Sequence, residues 1–148
     1  MVDNFPCYSH SFTLSQESKF NLAIKQYKRV IQYIGLPDDF ESELKAKANE
    51  TLLAGYLNLA MSYLKLQDYT ETVKNCDKAL AIDPKNEKGF FRRGLAYFSQ
   101  NDFDQAKKDF AKLLEIDPNN SAAKSKLHEC NAKIKEYREK EKQRYRNM

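Results

Sequence analysis

A chain of 148 residues, 41% hydrophobic and 31% charged, with only four glycines and four prolines, has the make-up of a single helical domain with a real core. No apolar run approaches the ~18 residues of a membrane-crossing helix, and residues 1–14 lack the basic-then-apolar plan of a secretory leader, so a cytoplasmic or nuclear protein with no membrane partner is expected. Cys7, Cys76 and Cys130 are far apart with no Cys-x-x-Cys pair, and His10 and His128 stand alone, so no disulfide framework or zinc site follows from them; no metal, cofactor or catalytic constellation is expected.

In chain order, residues of about 4–17 are read as a first helix, poor in sequence because Pro6 interrupts it and Ser and Thr are abundant. Phe20, Ala23, Tyr27 and Val30 then recur at helical spacing and predict its partner helix. Gly35-Leu36-Pro37-Asp38-Asp39 predicts a loop, after which Glu41–Asn49 lengthens the start of the next helix. That helix carries the stripe Leu53, Leu57, Ala60, Tyr63 and Leu64, and its partner, about Thr70 to Ile82, carries Val73, Cys76, Ala79 and Leu80. Asp83-Pro84 and Asp117-Pro118 are stop signals, since Pro disfavours helical geometry in the residue before it, and Asn86 and Asn120 stand where N-caps are wanted. A helix from about Glu87 places Gly94 at a crowded contact, and Phe103, Ala106, Phe110 and Leu113 mark its partner. The last helix runs from about Ser121, with Leu127, Cys130, Ile134 and Tyr137 as a covering seam that degrades beyond Tyr137. Residues 131–148 hold seven Lys/Arg against three Glu, so the whole net charge of +4 lies in this tail.

The chain matches itself at an offset of 34 residues. Leu59-Ala60-Met61-Ser62-Tyr63 lies over Arg93-Gly94-Leu95-Ala96-Tyr97, Gln67-Asp68-Tyr69 over Asn101-Asp102-Phe103, and Ala81-Ile82-Asp83-Pro84 over Glu115-Ile116-Asp117-Pro118. That period, with Gly/Ala then Tyr, a second aromatic and a closing Asp-Pro, is the signature of the tetratricopeptide repeat (TPR). The predicted fold is all-α: a TPR helical array of three repeats, the first imperfect, with a C-terminal capping helix. As one domain over 1–148 it divides into repeat one at about 4–36, an insertion loop and helix extension at about 35–50, repeat two at about 51–84, repeat three at about 85–118, and the C-terminal helix at about 120–146. In this register Cys76 takes the place of Phe110 and is expected to be a buried core thiol.

Stacked repeats form a concave face on which another protein's peptide can lie. The register puts Ala54, Leu57, Asn58, Met61, Leu64 and Lys65 of repeat two there, with Lys88, Phe91, Arg92, Leu95, Phe98 and Ser99 of repeat three. Lys88 and Arg92 are one helical turn apart, and Asn58 precedes Arg92 by one period, so two cations and an amide converge on a patch suited to carboxylates. Met61, Lys65, Phe91, Leu95 and Phe98 line the groove around them.

Asn58, Lys88 and Arg92 at this spacing resemble the two-carboxylate clamp of co-chaperone TPR domains, which hold the C-terminal Glu-Glu-Val-Asp tail of cytosolic heat-shock chaperones of the ninety- and seventy-kilodalton classes. More narrowly, Leu57-Asn58-Leu59-Ala60-Met61-Ser62-Tyr63-Leu64-Lys65-Leu66 and Asn86-Glu87-Lys88-Gly89-Phe90-Phe91-Arg92-Arg93-Gly94 resemble the large FKBP-type immunophilins. The resemblance implies a peptide-binding co-chaperone module whose partner is a heat-shock chaperone tail, of the ninety-kilodalton class. Two departures stand beside it. The family's clamp also uses a Lys and a small polar residue on the first helix, and by register these positions hold Tyr8 and Phe12. The family's isomerase domain is also absent, so the chain is expected not to be an enzyme, and to be a fragment, an isoform or a free-standing relative. The alternative reading is a TPR scaffold with an impaired clamp. In it the basic C-terminal helix would bind calmodulin, through Ile134, Tyr137, Tyr145 and the surrounding Lys/Arg. Nucleic acid is not an expected partner.

Overall fold

The computed structural model describes residues 7–34 and 42–148, with side chains from Gln16 onward. They form six helices: α1 (Cys7–Ile34), α2 (Ser42–Lys65), α3 (Tyr69–Ile82), α4 (Glu87–Ser99), α5 (Phe103–Ile116) and α6 (Ser121–Arg146). Each helix packs on the next along the chain, and α2 also touches α4, which makes the array. Among the described residues no helix is long and apolar enough to cross a membrane.

The turns repeat as closely as the helices. Gln67 (φ 61°) and Asn101 (φ 62°) take the left-handed conformation that reverses the chain between α2 and α3 and between α4 and α5. Each is followed by an aspartate that caps the next helix: Asp68 Oδ1 accepts from the Glu71 N–H and Asp102 Oδ1 from the Gln105 N–H, both at 3.2 Å. Asp83 and Asp117 end α3 and α5 in extended geometry. Asn86 and Asn120 cap α4 and α6 as expected, accepting from the Gly89 and Ala123 N–H groups at 2.9 Å.

The first repeat differs from its prediction. The sequence predicts a helical hairpin over 4–36, but Cys7–Ile34 is one unbroken helix. The reason lies in the turn. No Gly or Pro falls between residues 7 and 34, and in the register that aligns Phe20 with Tyr69 and Phe103 the capping aspartate is replaced by Lys19. An ammonium group cannot accept from the free N–H groups of a helix start, so the reversal loses its cap and the helix continues. Its buried seam is Ile24 with Tyr27 and Ile31, packed on Leu59 and Tyr63 of α2. Val30, predicted for that seam, lies 42% exposed on the neighbouring face. The loop at 35–39 lies outside the described residues. α2 begins at Ser42, so its extra length is at its N-terminal end.

Farther along, Phe90, Leu113 and Ala123 form one core cluster, and Ala106, Phe110 and Cys130 the next. Cys76 and Cys130 are fully buried, and loss of hydration pushes the Cys76 thiol up to about 12, so it is a packing group rather than a nucleophile at neutral pH. The α6 seam is shorter than expected: Leu127, Cys130 and Ile134 are covered at least in part, but Tyr137 is 65% exposed.

Gly94 occupies the tightest approach. A Cβ there would stand 2.8 and 2.9 Å from the Phe110 ring, itself fully buried and unable to retreat. Gly94→Ala is therefore expected to cost about 1–2 kcal/mol, overpacking outweighing the ~1 kcal/mol that alanine adds to helix propensity. A fall in melting temperature of several degrees checks it. Gly89→Ala, where the neighbour is the end of a half-buried Leu80 side chain, should change stability far less.

Candidate functional site

Helical geometry divides the side chains of α4 between two jobs. At 100° per residue, Lys88, Arg92, Leu95 and Ser99, spaced four, three and four apart, fall within about 60° of one another. Ala54, Asn58, Met61 and Lys65 repeat that spacing on α2. Of these, Asn58, Lys65 and Lys88 are exposed, and Met61, Arg92 and Leu95 are half-buried. Arg92 Nη1 donates to the Leu57 carbonyl oxygen at 2.6 Å, which lays the guanidinium against the turn of α2 that carries Asn58. Lys88 is one turn before Arg92 on the same helix. The three sequence-predicted residues thus come from two adjacent helices and face the same side.

Arg92 and Arg93 are neighbours in sequence with opposite fates. Arg93 is bound by carboxylates from both flanking helices: Nε and Nη2 donate to Asp109 at 2.9 and 2.7 Å, and Nη1 to Asp77 at 2.7 Å. The hydrogen bonds to Asp109 hold its pKa above the ordinary arginine value. Among the described residues no carboxylate lies within ion-pair distance of Arg92. Burial draws its pKa downward, though a guanidinium stays charged at neutral pH. A half-buried cation whose described partner is one carbonyl retains donors for an anion arriving from outside.

The apolar lining is more committed. Phe91, Leu95 and Phe98 are half-buried against Ala106, Phe110 and Cys130. Phe91 meets Phe110 edge to face with centroids 5.9 Å apart, and Phe98 meets Phe103 at 5.2 Å. These rings hold the array together and offer the groove only what remains uncovered. Tyr8 and Phe12 fall on α1, but their side chains lie outside the described residues.

A separate cleft of about 740 Å³ lies between the α4–α5 turn and α6. Asp102, Asp104, Glu136 and Glu141 line it with Lys133, Arg138 and Lys140, so charges of both signs meet there. On the tail itself, Lys133, Lys140 and Lys142 pair with Glu136 and Glu139 along the helix, so part of its basic charge is met within α6.

The Arg93–Asp109–Asp77 network was missed in the sequence. Its signal was there: one period earlier Arg93 is Leu59 and Asp109 is Asn75, so charges of opposite sign enter neighbouring repeat positions together.

The tetratricopeptide repeat family matches residues 54–86 and 87–120. The bovine peptidyl-prolyl cis-trans isomerase FKBP4 is 45% identical over 133 residues, 90% of this chain and 29% of that protein. The chain is a TPR array related to the FKBP-type immunophilins. It spans less than a third of the length of the curated relatives it matches first. Among solved structures, the C-terminal TPR-containing domain of a Plasmodium falciparum FK506-binding protein superposes with a TM-score of 0.74 at 24% identity, covering 88% of this chain and 87% of that one, a likeness of fold. The second TPR domain of human RPAP3, determined in complex with the HSP70 peptide SGPTIEEVD, superposes with a TM-score of 0.54 at 29% identity, covering 82% of this TPR array and 97% of that domain.

Proposed function

We propose that this TPR array is a peptide-binding co-chaperone module that holds the C-terminal Glu-Glu-Val-Asp tail of a heat-shock chaperone, of the ninety-kilodalton class, in the cytosol. The observation that carries the reading is Arg92: a half-buried guanidinium with no carboxylate partner among the described residues, beside an exposed Lys88 and against the α2 turn of Asn58. The RPAP3 domain, similar in fold and bound to a peptide ending in Glu-Glu-Val-Asp, supports the ligand class.

In this reading Lys88 and Arg92 take one carboxylate of the terminal residue and Asn58 donates to the other. The terminal aspartate supplies both, one on its side chain and one at the chain end, so a free C-terminus is recognised as such. The proposal is binding rather than catalysis. Titration calorimetry with a Glu-Glu-Val-Asp-ending peptide tests it. An amidated C-terminus is expected to weaken binding by about tenfold or more, as is Lys88→Ala, each removing one charge-assisted contact. Equal affinity for the free and amidated peptides would sink the reading. Running the ninety- and seventy-kilodalton tail sequences side by side assigns the chaperone class.

A further inference from the structure

The face that carries Asn58 on α2 and Arg92 on α4 continues onto α6. One period beyond those two residues stands Lys126, and Ala122, Lys126, Glu129 and Lys133 repeat the four-three-four spacing there. Lys126 is held rather than free-swinging. Its side chain is only 30% exposed, and its Nζ lies 4.9 Å from the centre of the Phe98 ring, so the stem from α6 reaches across to α4. Phe98 is on the flank of α4 that packs toward Cys130 of α6, about 80° round from Lys88 at 100° per residue. The ammonium therefore sits where α6 meets the flank of α4, beside the groove-facing residues of that helix. Its described anionic partner is Glu129, one turn along the same helix at 2.9 Å. Such an i,i+3 pair is weak, and an incoming carboxylate can compete with it.

We propose that Lys126 is a second acidic-residue subsite of the groove, taking a carboxylate of the same peptide upstream of the terminal residue. This rests on the groove reading above. Adjacent packed helices lie roughly 8–10 Å apart, and an extended chain advances about 3.3 Å per residue, so one helix-to-helix step is worth about three residues. With Asn58 and Arg92 on the terminal aspartate, Lys126 thus reads an acidic residue about three positions or more upstream of it.

The test uses nine-residue peptides ending in Val-Asp, with the seven upstream residues either all neutral or carrying one glutamate at successive positions. One or two adjacent positions are expected to bind the wild-type chain about three- to tenfold more tightly than the neutral parent. Lys126→Met, which keeps an apolar stem over Phe98, should abolish that gain yet bind the neutral parent within a factor of two. Glu129→Gln should enlarge the gain. A gain at no position, or one that survives in Lys126→Met, overturns the subsite. In either case the groove reading stands if the neutral parent still needs its free C-terminus and Arg92. If the parent needs neither, the groove reading fails and the subsite with it.

Discussion

Asp109→Ala is expected to destabilise the array by about 3 kcal/mol, the low end of what removal of one partner from a buried ion pair costs. Asp109 is 7% exposed and receives two of the three hydrogen bonds that Arg93 makes to carboxylates. Removing it leaves a guanidinium between α3 and α5 with only Asp77, itself 53% exposed and well solvated. At the usual 2–4 °C per kcal/mol for a chain of this size, the melting temperature should drop by about 6–12 °C. Asp109→Asn, which keeps the shape and one acceptor, should lose less. Urea unfolding of the three proteins measures the differences directly. A stability for Asp109→Ala within ~0.5 kcal/mol of wild type would mean that the network is a surface feature, of the kind that contributes little.

Arg92→Ala should do the converse. It removes the charge that the proposed groove turns toward its ligand, and affinity for a Glu-Glu-Val-Asp-ending peptide is expected to fall by about 2 kcal/mol, roughly thirtyfold. Stability should fall by only ~1 kcal/mol, since within the fold the guanidinium's described hydrogen bond is the one to the Leu57 carbonyl. Arg92→Lys should recover little of the binding, because an ammonium cannot reproduce the planar fork. Calorimetry paired with thermal unfolding separates the neighbours: position 92 is expected to change affinity, and the Arg93–Asp109 pair to change stability. Peptide binding by Arg92→Ala at wild-type strength would remove the basis of the carboxylate reading. The contrast rests on about 100° of helix rotation between adjacent residues.

By itself the sequence determined the repeat and its local consequences. A 34-residue period of apolar stripes requires stacked helices. Asp-Pro stops and Asn caps act within a few residues of their own positions, so Asn86 and Asn120 were legible before any packing was known. Gly94 was legible too, because a missing side chain at the crowded repeat position has one steric meaning, and Phe110 is the neighbour that supplies it.

Tertiary structure alone decided whatever depends on two elements at once. The register could put Arg92 on the groove face, but that Asp77 and Asp109 fasten Arg93 while Arg92 keeps the Leu57 carbonyl as its described partner depends on where the neighbouring helices lie. Val30 and Tyr137 both continue an apolar stripe, yet each is exposed, because burial needs a neighbour opposite as well as a suitable side chain. The first repeat stands between the two cases. Its helical stripe was readable, but the loss of its turn was not, since Lys19 in place of a capping aspartate removes a signal rather than adding one. Periodicity is a property of one chain segment, whereas pairing, exposure and the direction of a charge are properties of the surfaces it meets.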